Sequence, residues 1–88
     1  MSIEFDPAKD ESNRRTHGMS LARAVDFDVR ALLRDERRDY GEDRYRAFGM
    51  IDGLPHAMVF TMRGDVVRII SLRRAHRKEY QRHVRSQD

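Results

Sequence analysis

The sequence predicts an α+β domain in which helices pack on one face of a small antiparallel sheet. Three patterns indicate this fold: a capped helical segment at 6–18, strand-like runs at 57–62 and 66–72 around a tight turn, and a basic helical segment after them. Strands joined by tight turns pair antiparallel, and helices separate from them in sequence cover one face of the sheet. The 88 residues are expected to form a single domain, 1–88, with a small core.

The N-terminal segment predicts a short strand followed by a helix. Residues 2–5 alternate between polar and apolar side chains, as half-buried strands do. Asp6 suits the N-cap of the helix and Pro7 its first turn, because proline there loses no hydrogen bond. Gly18 is suited to end the helix in a left-handed conformation.

A second N-terminal helix is predicted after Gly18. Ser20 can cap it, and Leu21, Ala24 and Val25 fall at the i, i+3, i+4 spacing of one helical face. The apolar pair at 32–33 is expected to form a short strand or turn against the core.

The second half of the chain predicts the main strands and a last helix. Residues 44–52 alternate well enough for a strand, and a turn is expected at 53–55. The apolar run 58–62 is typical of a central, buried strand. Gly64 and Asp65 suit a two-residue hairpin. The last helix is expected to begin at residue 74 or 75, so that three helices accompany the sheet.

Positive charge is concentrated near the C-terminus. Residues 63–88 carry eight basic and three acidic side chains, whereas residues 1–62 carry ten basic and twelve acidic ones. Such a basic surface favours a polyanion or an acidic protein as partner. Sixteen of the eighteen basic residues are arginine. Its planar fork suits phosphate, although a GC-rich genome would explain the same preference.

The composition excludes several classes of site. No cysteine is present, which excludes disulfides, thiolate zinc sites and thiol catalysis. The four histidines are scattered, so neither a metal site nor a cofactor is expected. No apolar run reaches membrane-spanning length and the N-terminus lacks a signal-peptide core, which predicts a cytoplasmic protein without a membrane partner.

Five motifs, in this order, resemble the BrnT toxin family. They are FDPAK at 5–9, N-x-x-x-H-G at 13–18, DERRDYGEDR at 35–44, VFTMRGD at 59–65 and RIISLRRAHRKEY at 68–80. BrnT proteins are toxins of bacterial type II toxin–antitoxin pairs. The resemblance implies a fold like that of RelE ribonuclease toxins, cleavage of RNA that halts translation, and neutralisation by a BrnA-type ribbon-helix-helix antitoxin. It further implies a complex of two toxins and two antitoxins that contacts operator DNA only through the antitoxin.

The same resemblance implies metal-independent cleavage, in which the RNA 2′-hydroxyl attacks the adjacent phosphate. Such a reaction needs a base, an acid, and cations for the phosphorane. Arg63, Arg68 and Arg73 are the candidate cations, on or beside the last two strands. Strand alternation places Arg68 and Arg73 on opposite faces unless the strand bends. One of the two would then hold phosphate while the other pairs with Glu42 or Glu79. Alternatively, both arginines are structural and form ion pairs only.

His17, Glu79 and Tyr80 are the candidates for base or acid. His17 at a helix end would equally well cap carbonyl groups. For Tyr80 a core position is favoured over a catalytic one, because the last helix needs an apolar anchor and has few others. The catalytic candidates are thus Arg68, Arg73, His17, Glu79 and Tyr80, and those for RNA binding are Arg63, Arg44, Arg46 and Arg77.

Two other functions remain open at the level of sequence. A degenerate toxin could act only as a corepressor that binds its antitoxin, and Thr16, where family members usually carry lysine, leaves room for this. A stand-alone DNA-binding domain is less favoured, because the last helix lacks a helix-turn-helix partner.

Overall fold

The computed structural model describes residues 2–86 and contains a five-stranded sheet. The helices pack on both faces of this sheet and not on one face as predicted, because the two helices in the N-terminal half cover one apolar surface and the last helix covers another. In chain order the elements are β1 (Ser2–Glu4), α1 (Pro7–His17), a 3-10 helix (Leu21–Asp26), β2 (Asp28–Arg34), β3 (Arg44–Ile51), β4 (Leu54–Arg63), β5 (Val66–Arg74) and α2 (Arg77–Arg85).

The sheet is mixed, which corrects the prediction of a purely antiparallel one. The strand order is β1-β5-β4-β3-β2, and the pairs from β2 to β5 are antiparallel. β1 pairs parallel with β5, with Ser2 opposite Val66 and Glu4 opposite Arg68. Local patterning showed that β1 is a strand but could not reveal its partner, because the two strands lie more than sixty residues apart in the chain.

The first helix begins and ends as its sequence predicts. The Asp6 carboxylate accepts a hydrogen bond of 2.8 Å from the Ala8 N–H, and Pro7 occupies the first turn. Gly18 adopts φ 69°, and its N–H donates to the Arg14 carbonyl. The helix is therefore closed at both ends by local interactions.

Asn13 fastens α1 to the edge of β5. Its side-chain amide donates to the Leu72 carbonyl (2.7 Å) and accepts from the Leu72 N–H (3.1 Å). The same amide group also donates to the Met19 carbonyl at 2.9 Å. β1 is too short to pair with this part of β5, so Asn13 supplies the hydrogen bonds that the N–H and C=O of Leu72 would otherwise lack. Asn13 is buried, so water does not replace these bonds.

The second N-terminal helix is a 3-10 helix of six residues, not the α-helix that the spacing predicted. Ser20 caps it, as expected, by accepting from the Ala22 N–H. A 3-10 helix has three residues per turn, so Leu21 and Ala24 lie above one another and Val25 turns away. Leu21 and Ala24 are buried, whereas Val25 is 69% exposed.

Two hairpins connect the central strands. Gly64 and Asp65 join β4 to β5, which confirms the predicted turn. The other turn consists of Asp52 and Gly53, both with positive φ, rather than residues 53–55. Two consecutive positive φ values suit the tight turn of a hairpin, and Pro55 is consequently free to pair with Met50 inside the sheet.

A β-bulge in β5 decides which side chains share a face. Phe60 of β4 pairs with Ile69, but its neighbour Val59 pairs with Ser71, so Ile70 is an extra residue. An extra residue reverses the alternation of all residues beyond it. Val67, Ile69 and Leu72 therefore lie on one face and are buried there.

The two faces of the sheet have different cores. One face, which we call the apolar face, packs against α1 and the 3-10 helix. The buried residues of the core between them include Leu21 of the 3-10 helix and, from the sheet, Ala47, Ile51, Met58, Phe60, Ile69 and Leu72. A groove of about 370 Å³ remains open on this face, lined by residues such as Phe27, Met58 and Met62. The other face packs against α2 through a smaller core of Ala31, Phe48, Ala57 and Ala75, with Tyr80 and Val84 from the helix.

α2 begins at Arg77, later than the predicted residue 74 or 75, because β5 continues to Arg74. Within residues 2–86, no helix is long and apolar enough to cross a membrane.

Candidate nucleic-acid interface

Five arginines lie on the face of the sheet that α2 partly covers. The bulge at Ile70 brings Arg68 and Arg73 to the same side, because Arg68 pairs with Thr61 and Arg73 with Ala57, four residues apart on β4. Cross-strand partners share a face, so the pairings of β3 with β4 place the arginines of these two strands on the same face as Arg68 and Arg73. We call this surface the basic face; its arginines are Arg44, Arg46, Arg63, Arg68 and Arg73.

One half of the basic face is an open pocket of about 170 Å³. Its cationic lining residues are Lys9, Arg44, Arg63 and Arg68. Acidic residues accompany two of them: Arg68 lies 3.5 Å from Glu4, and Arg44 lies 3.2 Å from Glu42 in the same pocket lining. Asp6 also lines the pocket, so four cations and the two carboxylates of Asp6 and Glu42 surround it, which leaves positive charge in excess.

The other half lies beside α2 and contains a bidentate ion pair. Both guanidinium NH groups of Arg73 donate to the two carboxylate oxygens of Glu79, each at 3.0 Å. These hydrogen bonds lower the pKa of Glu79 below its ordinary value against the opposing effect of burial, and the charges of Arg46 and His83 act in the same direction. Glu79 is therefore ionised near neutral pH and fixes the orientation of Arg73.

Arg46 lies between the two halves of the basic face. It is partly buried, and within residues 2–86 no carboxylate forms a hydrogen bond or ion pair with it. Burial lowers the pKa of Arg46, and the charges of Arg37 and Arg73 act in the same direction, while the charges of Asp35 and Glu79 oppose the shift. The guanidinium remains charged near neutral pH because its ordinary pKa is so high. An incoming anion such as a phosphate can therefore form an ion pair with the Arg46 guanidinium.

His83 belongs to the same cluster as Arg46, Arg73 and Glu79. Its ring stacks on Phe48 with 4.3 Å between centroids and an interplanar angle of 11°. Burial lowers the pKa of His83, as do the charges of Arg46 and Arg82, while Glu79 opposes the shift. The imidazole is therefore mostly neutral at pH 7 and has a nitrogen able to accept a proton.

The loop between β2 and β3 borders the basic face and is held by a buried carboxylate. Asp35 accepts hydrogen bonds from Arg37 (2.7 Å to Nε) and from the Tyr40 hydroxyl (3.2 Å). The bonds from Arg37 hold the pKa of Asp35 well below its usual range. The Arg44 guanidinium lies 4.2 Å from the centre of the Tyr40 ring. This loop thus fixes one wall of the basic face.

Taken together, the basic face can bind phosphates and exchange a proton. Four cations line the open pocket, and the neutral His83 lies close to Arg46 and Glu79. Neutral imidazole is suited to accept a proton from a hydroxyl group, and guanidinium groups stabilise negative charge that develops on phosphate. Within residues 2–86, no three histidine or carboxylate side chains lie where they could hold a metal ion together.

Comparison with known proteins assigns the chain to a family. A family model described as the ribonuclease toxin BrnT of type II toxin–antitoxin systems matches residues 5–79. The chain belongs to the BrnT family. The match extends from FDPAK to Glu79 and so confirms the resemblance seen in the sequence. A search of the curated proteins finds no match. BrnT proteins are ribonuclease toxins, and as the toxin of a type II pair this chain has an antitoxin as its partner.

The structure of this BrnT toxin brings together some of the residues predicted from sequence. Arg68, Arg63 and Arg44 line the open pocket, and Arg73, Arg46 and Glu79 form the cluster beside α2.

The other predicted residues lie elsewhere. His17 is exposed at the last residue of α1 and lines neither half of the basic face. Tyr80 packs in the small core between α2 and the sheet. Arg77 is exposed in the first turn of α2.

Two residues of the basic face were missed as functional candidates in the sequence. Lys9 lies in the FDPAK motif and is one of only two lysines, which could have singled it out. His83 follows Glu79 by four residues, so the two are neighbours on one helical face. That spacing became informative only once the face of α2 that packs on the sheet was known.

Proposed function

We propose that this BrnT toxin is an endoribonuclease that cleaves RNA on its basic face without a metal ion, by attack of the 2′-hydroxyl on the adjacent phosphate. The observation that supports the proposal most strongly is the β5 bulge. The bulge turns Arg68 and Arg73 to the same face as Arg46 and His83, so that phosphate-binding cations and a neutral base occupy one surface.

In the proposed reaction, each member of the cluster beside α2 has a separate role. His83 is the base that accepts the proton of the 2′-hydroxyl, because its lowered pKa keeps it neutral at pH 7. Arg46 and Arg73 stabilise the dianionic phosphorane. The P–O5′ bond then breaks as the 2′,3′-cyclic phosphate forms, and the departing 5′-oxygen takes its proton from the protonated His83 or from water. Glu79 acts as a positioning residue, since its two hydrogen bonds aim the Arg73 guanidinium.

The open pocket is proposed to bind a neighbouring phosphate of the same RNA strand. Arg44 and Arg46 are two residues apart on β3, so their side chains leave the strand about 7 Å from one another. A flexible single strand can place one phosphate beside Arg46 and the next beside Arg44, Arg68 and Lys9. These contacts hold the scissile phosphate in place and need not change during the reaction.

The antitoxin is proposed to be a BrnA-type ribbon-helix-helix protein, as the motifs imply. The proposal includes a complex of two toxins and two antitoxins that contacts operator DNA only through the antitoxin, with RNA cleavage in the cytoplasm. Its RelE-like fold is likewise a proposal, which the α+β architecture with a basic sheet face supports. Co-expression with a ribbon-helix-helix protein encoded beside the toxin gene, followed by light scattering of the purified complex, tests the partner and the stoichiometry.

The decisive experiment is RNA cleavage in excess EDTA. We expect the purified chain to cut a labelled single-stranded RNA and to leave a 2′,3′-cyclic phosphate and a free 5′-hydroxyl, which the antitoxin prevents. Cleavage that requires added metal would contradict the mechanism. A folded chain that cuts neither free RNA nor messenger RNA in a translation extract would instead support a binding role as corepressor.

Arginine variants test the location of the site. Replacing Arg68 or Arg73 with alanine should lower the cleavage rate at limiting RNA concentration by at least about tenfold, which corresponds to the loss of a contact of about 1.4 kcal/mol. For Arg73 the lost contact is to the transition state, and for Arg68 it is to the neighbouring phosphate. Arg15→Ala is the matched control, because Arg15 lies on α1 with a side chain that is 75% exposed. Circular dichroism verifies that each variant is folded. If both single variants cut RNA as fast as the parent, the proposed site is wrong.

A further inference from the structure

The outer surface of α2 carries basic side chains that have no acidic partner within residues 2–86. Nine of the eighteen lysines and arginines form ion pairs within these residues. Four of the other nine lie on α2: Arg77, Lys78, Arg82 and Arg85. All four are exposed, whereas Glu79, the acid of this helix, faces the sheet and pairs with Arg73.

Helix stability does not account for this pattern. Arg82 and Arg85 lie in the last turn, where cations are stabilised by the helix dipole. Arg77 and Lys78 lie in the first turn, where the same dipole disfavours positive charge. The His76 side chain makes no capping hydrogen bond that would offset this effect. The dipole favours the ionised Glu79 in the same turn, but this carboxylate is hydrogen-bonded to Arg73 and forms no ion pair with Arg77 or Lys78 within residues 2–86.

We propose that the outer surface of α2 is a second RNA contact, separate from the cleaving cluster, which binds the phosphate backbone irrespective of sequence. The inference rests on the proposed function for the identity of its ligand. α2 contributes Glu79 and His83 to the basic face with its inner side, so an RNA strand that leaves the cluster passes over the helix. Lys78 and Arg85 are about 10 Å apart along the axis, which allows contacts to successive phosphates.

Salt dependence of RNA binding provides the test. The triple variant Arg77→Gln, Lys78→Gln, Arg85→Gln removes three charges while keeping good helix-forming residues. Arg82 is kept because its charge acts on His83. The probe is a fluorescent single-stranded RNA whose 2′-hydroxyls are methylated, so that binding is measured without cleavage. The control variant, Arg15→Gln, Arg23→Gln, Arg30→Gln, changes the net charge equally at arginines that have acidic partners.

For three lost phosphate contacts, the plot of log K against log salt concentration should become shallower by about 2, since each contact to a single strand contributes about 0.7. Affinity at about 0.1 M salt should fall by about tenfold to a hundredfold, whereas the control variant should retain the slope of the parent.

Three outcomes overturn the inference: equal slopes for the parent and the α2 variant, an equal loss in the control variant, or a loss of affinity for the antitoxin while RNA affinity is unchanged. The last outcome would make the surface a protein-binding one. If the parent fails to cut unmodified RNA, the proposed function is refuted. The inference about α2 would still be supported if the α2 variant binds RNA more weakly than the parent. A parent that binds no RNA at all would refute both.

Discussion

Replacing Arg46 with methionine should abolish most of the ribonuclease activity without destabilising the fold. The substitution removes the guanidinium but keeps a long, flexible apolar side chain beside Phe48, over whose ring Arg46 lies at 5.4 Å. Arg46 is the informative position because no carboxylate within residues 2–86 is hydrogen-bonded to it, unlike Arg73, which shares its charge with Glu79.

The expected magnitude follows from this difference in pairing. Loss of one group that stabilises the charged transition state typically lowers the rate about 10²–10³-fold, or about 2.7–4 kcal/mol. Arg46 should reach this range, because no carboxylate within residues 2–86 is hydrogen-bonded to it, and should exceed the roughly tenfold minimum set for Arg68 and Arg73. Burial and the charges of Arg37 and Arg73 disfavour its charge in the folded state and outweigh the opposing charges of Asp35 and Glu79, so removing the Arg46 charge should leave the melting temperature unchanged or raise it.

The assay combines cleavage of a labelled RNA under single-turnover conditions with thermal unfolding followed by circular dichroism. Arg30→Met is the matched control, since Arg30 is exposed and paired with Asp28 on the edge strand β2. A folded Arg46→Met variant that cuts at the rate of the parent would refute the assigned role. A markedly lowered melting temperature would show instead that Arg46 is needed for the structure.

Two further predictions concern His83 and Asn13. The pKa of His83 lies below its ordinary value of about 6.5, and the base must be neutral. The cleavage rate should therefore be constant near pH 7 and fall as the pH drops through that lowered pKa. His83→Asn should lose activity and the fall in rate at low pH, and an unchanged pH profile would contradict the role of His83 as the base. Asn13→Ala should lower the free energy of unfolding by about 2–6 kcal/mol in urea titrations, because it leaves the buried N–H and C=O of Leu72 without their partner, at about 1–3 kcal/mol each. Ser12→Ala, on the exposed neighbour, should change stability little, and a loss below about 1 kcal/mol in Asn13→Ala would show that water replaces the amide.

Local signals in the sequence correctly predicted most of the elements. Asp6, Pro7 and Gly18 define α1, and Gly64 with Asp65 defines a hairpin, because capping and turn formation depend on a few consecutive residues. The 3-10 helix was predicted wrongly as an α-helix. The spacing of Leu21 and Ala24 fits both kinds of helix, and only packing against the sheet showed that Val25 faces outward.

The site was predicted less completely than the fold. The arginines of the basic face were recognised because residue type and charge are visible in the sequence. Lys9 and His83 were not, since each reaches the site from a helix whose position on the sheet is set by distant contacts.

By itself, the sequence determined the BrnT family, the α+β class and the supply of arginines, because motifs, caps and charge are properties of consecutive residues. The tertiary structure alone decided that these arginines lie on one face of the sheet. Simple alternation separates Arg68 from Arg73, and the extra residue Ile70 returns them to one face. A bulge is a mismatch between two paired strands, so it depends on how β4 and β5 align and becomes visible only when both are in place.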